Sequence, residues 1–173
     1  SDVYKRQGKS GDSIDDSAGC MPRNIVEGTS GTCFAVHPDG LLLTSFHVID
    51  GAQSICVRLS DGTLNPAKVK SASVMSDLAL LSINRKTLDF LTLASSGDLQ
   101  IGDQVFTVGF PTVDLLGGEP RFTEGSVSAL TGPQSEAAFV QISVPVQPGN
   151  SGGALVNAEG QVVGCLLYTS DAA

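Results

Sequence analysis

The sequence predicts an all-β protein made of two small antiparallel barrels packed side by side. Short apolar runs recur at close spacing from Asn24 onward, and the turn sequences HPDG, SDG and NAEG separate several of them. Few stretches show a helical period, although HVIDGA is expected to form one helical turn. The 173 residues, 41% of them hydrophobic, suffice for one domain or for two small sub-domains that share a core.

A polar, glycine-bearing seam at 95–103 divides the apolar runs into two sets of similar size. We therefore predict an N-terminal barrel over 24–98 and a C-terminal barrel over 99–173. Residues 1–23 are mostly small, polar and acidic without periodicity, which predicts a flexible tail. The expected strands are GTCFAV, LLLTSF, SICVRL, AKVKSA, LALLSI, QVFTVGF, EGSVSAL, AFVQISV, GALV and QVVGCLL.

The composition narrows the classes of partner. The formal net charge is −8, opposite in sign to a phosphate-binding surface, so nucleic acid is not an expected partner. No apolar run approaches the roughly 18 to 20 residues that span a bilayer, so no membrane span is expected.

The four cysteines Cys20, Cys33, Cys56 and Cys165 lie far apart and form no CxxC motif, which gives a metal site little support. Cys33 and Cys56 lie in strand-like runs and could pair, with buried thiols as the alternative.

The segment PGNSGG, at 148–153, is a candidate nucleophile turn. A reactive serine has to stand on a tight turn with backbone N–H groups aimed at the oxyanion, and the glycines around Ser151 permit that backbone. The N–H groups of Gly149 and Ser151 would then form the oxyanion hole. A plain glycine-rich hairpin is the alternative interpretation.

The same letters fit the G-x-S-x-G elbow of α/β-hydrolases, but the order of residues rejects that class. Those enzymes place the acid and the histidine after the serine, whereas 22 residues follow Ser151 and none of them is histidine. They also alternate strands with helices, and that alternation is missing here.

The chain has two histidines. His37 lies in the HPDG turn and is expected to be an exposed loop residue. His47 follows LLLTSF at the end of a predicted strand, where a general base can be held rigidly, with a structural histidine as the alternative. Asp77 opens SDLALLSI and is a candidate for the acid that orients an imidazole, although a strand-start aspartate bonding nearby amides is the alternative.

The joint pattern is stronger than its parts, because the order His, Asp, Ser is that of chymotrypsin, whereas subtilisin begins with Asp. The stretch GTCFAVHPDGLLLTSFHVIDGAQSICVRLSDG resembles the first barrel of the HtrA/DegP-type, trypsin-like serine peptidases. SDLALLSI, VGFP, TEGSVSAL and VQPGNSGGALVNAEGQVVG resemble later segments of that family. The resemblance covers roughly Asn24 to Gly164.

The resemblance implies a role for each candidate residue. His47 would be the general base, Asp77 the orienting acid and Ser151 the nucleophile, with Gly149 and Ser151 supplying the oxyanion N–H groups. The implied fold is two six-stranded antiparallel barrels of the chymotrypsin type, with the site in the cleft between them. No metal or cofactor is implied, the expected substrates are unfolded or flexible polypeptides, and the favoured location is periplasmic or secreted.

Two further expectations concern specificity and activation. The residues before the nucleophile, Val144, Pro145, Val146 and Gln147, would line the S1 pocket, and they include no carboxylate. We therefore predict small or medium apolar P1 residues. Ile25–Gly28 superficially resembles the new amino terminus of activated pancreatic-type proteases. Asn150 carries no charge to pair with such an amine, so no activating cleavage is expected there.

The sequence departs from the family at its ends. After GQVVG the family normally continues through one or two strands, so the second barrel is expected to be incomplete. SDVYKRQ and LLYTSDAA resemble translated sequencing-adapter sequence, which leads to the hypothesis that residues 1–7 and 166–173 are not native.

The oligomeric state stays open. The leading function is a serine endopeptidase, and the alternative is a catalytically inactive binding or regulatory module of the same fold.

Overall fold

The computed structural model describes residues 2–6, 30–86, 89–95, 97, 99–109, 120–131, 139–146 and 149–167. These residues form twelve strands and one short helix, α1, at Phe46–Ile49. The strands before the seam are β1 (Asp2–Arg6), β2 (Ser30–Thr32), β3 (Phe34–His37), β4 (Leu41–Ser45), β5 (Ser54–Arg58), β6 (Leu64–Ser73) and β7 (Leu78–Ile83). The strands after it are β8 (Gln104–Gly109), β9 (Arg121–Ala129), β10 (Gln141–Ile142), β11 (Ala154–Val156) and β12 (Val162–Cys165).

The first sheet closes on itself. Its strand order is β2-β1-β5-β6-β7-β4-β3, and each pair of neighbours is antiparallel. β2 and β3 lie at opposite ends of this order, yet Cys33 alone separates them along the chain. The two ends of the sheet therefore meet at Cys33, and the seven strands form a barrel without an open edge there.

The interior of this barrel follows from the period-2 pattern of its strands. In β7 the side chains of Ala79, Leu81 and Ile83 are buried, and their neighbours in the strand are only partly covered. α1 contributes Val48 and Ile49 to the same interior. The buried members of this first core are Val3, Cys33, Leu42, Val48, Ile49, Ile55, Val57, Ala79, Leu81 and Ile83.

The second sheet has the order β10-β9-β8-β11-β12, and its neighbours are also antiparallel. Within the described residues it is an open sheet of five strands, which agrees with the expected incomplete second barrel. Its buried core consists of Val105, Val127, Val144, Leu155 and Leu166. The predicted all-β architecture of two antiparallel sheets is thus confirmed.

The two sheets meet along a third buried cluster and along the connecting chain. Leu91 donates its N–H to the carbonyl of Ala35 in β3 at 2.9 Å, and Val162 in β12 donates to the Thr92 carbonyl at 2.8 Å. The connection after β7 is therefore bonded to both sheets. The buried residues of the cluster are Phe34, Ala154 and Val162.

The predicted flexible tail is wrong for Asp2–Arg6. These residues form β1, which lies between β2 and β5 and places Val3 at 0% exposure in the first core. A five-residue segment with three charged residues gives too weak a pattern to predict a strand whose partners are remote in sequence. Residues 7–23 of the predicted tail lie outside the described residues, and the boundaries 24–98 and 99–173 stay predictions.

The short helix and the first histidine both lie where the sequence predicts them. HVIDGA was expected to make one helical turn, and α1 confirms it. His37 is exposed at the end of β3, and its Nδ1 accepts the Asp39 N–H at 3.2 Å. Over the described part of the chain, no helix has the length and apolar character needed to cross a membrane.

Candidate active site

Asp77 is hydrogen-bonded to the start of α1 through both its side chain and its backbone. One carboxylate oxygen, Oδ1, accepts the backbone N–H of His47 at 2.8 Å, and the other lies 2.6 Å from the ring Nδ1 of His47. The Asp77 carbonyl accepts the N–H of Phe46 at 2.9 Å. Because Nδ1 is engaged by the carboxylate, Nε2 is the ring nitrogen that remains to exchange a proton with another group.

The backbone of Asp77 is unusual. Among the described residues it is the one non-glycine position with a positive φ, at 48°. Aspartate tolerates this left-handed conformation better than most residues because its short polar side chain can bond locally. The conformation places Asp77 at the turn between β6 and β7, from which both its carbonyl and its carboxylate reach α1. The side chain of Asp77 is 16% exposed, against 41% for His47.

Ser151 stands on a tight turn between glycines. Gly149 and Gly152 have φ values of 94° and 86°, which a side chain would disfavour, and Gly153 donates its N–H to the Asn150 carbonyl at 3.0 Å. The turn leads directly into β11 of the second sheet. Ser151 is 7% exposed, so the turn is covered rather than projecting into solvent.

The turn is docked on the first sheet at the strands beside His47. Thr32 in β2 donates its N–H to the Ser151 carbonyl at 2.8 Å and its hydroxyl to the Gly149 carbonyl at 2.7 Å. A Cβ at Gly152 would overlap the Thr32 carbonyl and the Thr44 hydroxyl and would reach the N–H of Ser45 at 3.0 Å. The structure therefore brings the serine turn against the strand end from which α1 and His47 begin.

The backbone of Leu166, just after β12, is hydrogen-bonded both to the serine turn and to the end of β4. Its carbonyl accepts the Gly152 N–H at 2.9 Å and the Ser45 hydroxyl at 3.0 Å, and its own N–H bonds the Gly153 carbonyl at 2.8 Å. Leu166 is 2% exposed. Leu166 falls within the segment hypothesised to be non-native; that origin stays a prediction, but the residue is an integral part of the site's support.

Asn150 is held by close packing. It is 2% exposed, and its side-chain amide lies so near Gly109 that a Cβ at Gly109 would overlap it. Among the described residues, the amide oxygen of Asn150 has no hydrogen-bond partner, and the same is true of the hydroxyls of Thr107 and Thr123. The close approach of Gly109 therefore restricts where the Asn150 side chain can lie.

The residues expected to line the S1 pocket are placed unevenly. Val144 is 4% exposed and belongs to the second core, and Val146 packs against that core. Pro145 is exposed. Gln147 lies outside the described residues, as does Ile25–Gly28. The role of this segment in specificity stays a prediction.

The cysteines do not pair as Cys33 with Cys56. Cys33 is a buried thiol, whereas Cys56 is disulfide-bonded to a partner outside the described residues. The candidate pair is therefore wrong, because Cys33 faces the first core between β2 and β3. Cys165 is also a thiol; burial raises its pKa to about 11, and its sulfur lies 3.7 Å from the Ser45 hydroxyl. In the described part of the chain, no three potential metal ligands cluster.

The sequence made His47, Asp77 and Ser151 candidates, and it did not single out the buried residues that support the serine turn in the structure. Thr32 and Thr44 are 2% and 0% exposed, yet threonine is common in strands and neither stands out in GTCFAV or LLLTSF. The available signal was a polar side chain on the inward-facing positions of apolar strands, since a buried hydroxyl has to find a partner.

Two antiparallel sheets, with a hydrogen-bonded histidine and aspartate beside a glycine-flanked serine, are the arrangement of the chymotrypsin-like serine peptidases. A family model of the trypsin-like peptidase domain matches residues 31–165. The chain therefore belongs to the trypsin-like peptidase domain family.

Individual relatives agree with this assignment. The chain is 40% identical over 137 residues to a protein of Pseudomonas savastanoi pv. phaseolicola named "Probable periplasmic serine endoprotease DegP-like", covering 78% of this chain and 28% of that protein. A serine endoprotease structure from Yersinia pestis matches with a TM-score of 0.72 and 30% identity, covering 95% of this chain and 51% of the other. The HtrA-type protease AlgW, solved with a tripeptide, matches with a TM-score of 0.74 and 29% identity, covering 95% and 48%.

These similarities confirm the predicted resemblance to the HtrA/DegP-type peptidases. The chain spans about a quarter to a third of the length of the curated relatives it matches, from 24% to 32%. It spans about half of the two matched structures.

Proposed function

We propose that this domain is a serine endopeptidase in which His47, Asp77 and Ser151 act as general base, orienting acid and nucleophile. The proposal rests above all on the two-point contact between Asp77 and His47, at 2.8 and 2.6 Å. A carboxylate bonded only to the ring could let the histidine rotate with it. Here the second bond joins the carboxylate to the His47 backbone N–H, so the carboxylate cannot turn with the ring and the orientation of the imidazole is fixed.

The chemistry follows from these positions. Ser151 Oγ attacks the carbonyl carbon of the scissile peptide while Nε2 of His47 takes the hydroxyl proton. The Asp77 carboxylate stabilises the imidazolium that forms, and the tetrahedral intermediate carries its negative charge on the former carbonyl oxygen. His47 then gives the proton to the leaving amine, an acyl-enzyme remains on Ser151, and water releases it by the same route in reverse.

The N–H groups of Gly149 and Ser151 are proposed to bind the oxyanion. A glycine at position 149 is required because a φ of 94° would strain any residue with a Cβ. Removing one oxyanion donor typically costs about 10²- to 10³-fold in kcat. The packing of Asn150 against Gly109 supports this assignment, since it limits the conformations open to the residue between the two donors.

The proposed substrates are unfolded or flexible polypeptides, bound in an extended form along a strand edge. The proposed S1 pocket is lined by Val144, Pro145, Val146 and Gln147, and none of them has the carboxylate needed to bind Lys or Arg. Peptides with Val, Ala or Leu at P1 are therefore expected to be cleaved faster than matched peptides with Arg. Faster cleavage after Arg would contradict this specificity.

A periplasmic or secreted location is proposed from two independent supports. Several relatives are named periplasmic endoproteases. The disulfide at Cys56 also favours an oxidising compartment, because disulfides rarely persist in the cytosol of mesophiles.

The deciding experiment is mass spectrometry after exposure to a fluorophosphonate probe, with Ser151→Ala as the test variant and Ser128→Ala, an exposed serine of β9, as the matched control. One adduct on Ser151 in the wild-type chain and in the Ser128 variant, lost in Ser151→Ala, is the expected result. No adduct on a folded wild-type chain would overturn the proposal and favour the catalytically inactive binding module.

A further inference from the structure

Thr32 reaches the nucleophile turn from the opposite sheet with two groups at once. Its N–H donates to the Ser151 carbonyl at 2.8 Å, and its hydroxyl donates to the Gly149 carbonyl at 2.7 Å. Thr32 is 2% exposed, so neither bond competes freely with water. The two carbonyls that it holds belong to the residues whose N–H groups are proposed to bind the oxyanion.

These two bonds fix the peptide units on either side of one oxyanion donor. The Ser151 N–H belongs to the peptide that joins Asn150 to Ser151. The Gly149 carbonyl belongs to the peptide unit before it, and the Ser151 carbonyl belongs to the unit after it. Holding both flanking units restrains the rotation of the central one, because a planar peptide turns only about its two neighbouring Cα atoms.

The restraint continues to the strand that leads to His47. The Thr32 carbonyl accepts the hydroxyl of Thr44 at 2.8 Å, and Thr44 is fully buried in β4, three residues before His47. Thr44 therefore fixes β2 against β4, and β2 fixes the nucleophile turn. The chain of donors runs from Thr44 through Thr32 to Gly149, which links the two halves of the site.

We propose that Thr32 is a positioning residue that aims the oxyanion N–H groups by holding the Gly149 and Ser151 carbonyls from the first sheet. The inference rests on the proposed function, since it assigns a task within that reaction. The bonds of Thr32 given above are made to backbone carbonyls of the turn, and this is why the proposed role is one of positioning. Its contribution is to the geometry in which the developing charge meets its donors, and such geometry is expressed in kcat more than in KM.

The informative variant is Thr32→Val, which keeps the shape of the side chain and removes the hydroxyl. The Gly149 carbonyl then loses its donor in a buried position, and the turn is expected to relax. We expect kcat for a peptide substrate and the rate of fluorophosphonate labelling to fall by about ten- to a hundredfold, with KM within about threefold of wild type. Thr32→Ser keeps a hydroxyl and is expected to recover most of the rate.

The chain offers a matched control in Thr107→Val. Thr107 in β8 is also fully buried, and its hydroxyl has no hydrogen-bond partner within the part of the chain that the structure describes. The same chemical change there removes no hydrogen bond seen among those residues and is expected to leave the labelling rate at the wild-type level. If the labelling rate fell merely because a buried hydroxyl was replaced by a methyl group, Thr107→Val would lose rate as well as Thr32→Val.

The outcomes separate this inference from the proposed function. A wild-type chain that is not labelled at Ser151 overturns both. A labelled wild type with Thr32→Val at the same rate overturns the inference alone, as does a reduced rate that Thr32→Ser does not recover. If Thr32→Val does not fold, as judged by circular dichroism, Thr44→Val replaces it. That variant removes the donor to the Thr32 carbonyl, and a wild-type labelling rate there overturns the inference.

Discussion

The two halves of the proposed site are held in different ways. His47 and Asp77 both belong to the first barrel, and the carboxylate itself makes the bonds that fix the imidazole. Ser151 stands at the start of the second sheet, but its turn is held by Thr32 from the first sheet and by Leu166 beyond β12. One half is fixed by a charged side chain, and the other by hydrogen-bonded backbone and by glycines.

This difference predicts which kind of substitution should disable the His47–Asp77 pair and which should disable the serine turn. The pair is compact and depends on charge and tautomer, so a change of charge with little change of shape should disable it. The turn has no charged support among the contacts described above and depends on space between the sheets, so one added methyl group should disrupt it. Four variants test this contrast, in order of decreasing expected effect.

Asp77→Asn should give the largest loss. Asparagine tolerates the positive φ of this position and nearly preserves its shape, but its neutral amide cannot stabilise an imidazolium or fix the required tautomer. We expect kcat to fall by about 10⁴-fold, a loss of the size found when a triad carboxylate becomes an amide in other serine proteases. Steady-state kinetics on a peptide substrate would measure it.

The chain contains a second histidine–aspartate contact that serves as the control. His37 Nδ1 lies 3.6 Å from the Asp39 carboxylate, with both side chains more than half exposed. Asp39→Asn makes the same chemical change away from the site and should leave kcat unchanged. An Asp77→Asn enzyme within tenfold of wild type would remove Asp77 from the mechanism.

Gly152→Ala should break the turn without touching a charge. The added Cβ would overlap the Thr32 carbonyl and the Thr44 hydroxyl, at a residue whose φ is 86°. Overlap with a packed backbone commonly costs about 1–3 kcal/mol, and a displacement of about 1 Å at a reacting group can cost about 10²-fold in rate. We therefore expect a loss near 10²-fold in labelling rate, together with a lower Tm.

Gly160→Ala is the matched comparison for Gly152. Gly160 has a φ of 77°, but an added Cβ there would meet nothing within 4 Å. It should cost about 1 kcal/mol of stability from the left-handed conformation alone, with no loss of labelling rate. Equal labelling rates in the two variants would show that space between the sheets is not what holds the turn.

Gly109→Ala should have a smaller effect on the same turn. The new methyl group would overlap the amide of Asn150, which is the end of a side chain and can shift more readily than a backbone carbonyl. We expect a loss of about tenfold in labelling rate, below the roughly 10²-fold of a full 1 Å misplacement. Gly164→Ala is the control, because its Cβ would make an ordinary contact of 3.7 Å with Leu155. A control as slow as Gly109→Ala would argue against a specific role for Asn150.

Asp61→Asn should affect the first barrel and leave the site intact. The hydroxyl and N–H of Thr63, and then Arg85, lower the pKa of Asp61 from 3.8 to about 2. Because the pKa is lowered on folding, the carboxylate stabilises the fold above pH 4 and loses this contribution as pH falls toward 2. Asp61 is exposed, so the variant should show only a slightly lower Tm at pH 7, converging with wild type near pH 2. A changed labelling rate at pH 7 would link this turn to the site.

Much of this arrangement was predictable, because it depends on patterns local in sequence. The strand–turn alternation predicted the all-β class, and the order of His47, Asp77 and Ser151 with the glycines around Ser151 singled out the candidates. β1 could not be predicted, since the two strands that flank Asp2–Arg6 give a short charged segment its place. Thr32 could not be predicted for the same reason. Its hydroxyl bonds a carbonyl 117 positions away, and nothing near it in the chain indicates that partner.

The raised pKa of Cys165 has a consequence for handling the protein. A folded chain that holds both a disulfide and thiols is open to thiol–disulfide exchange, which proceeds through the thiolate form. At pH 7 a thiol with a pKa of about 11 is thiolate in only about one molecule in ten thousand, and Cys33 is buried in the first core. The native cystine at Cys56 should therefore survive storage in neutral, non-reducing buffer, and strongly alkaline buffers should be the ones that scramble it.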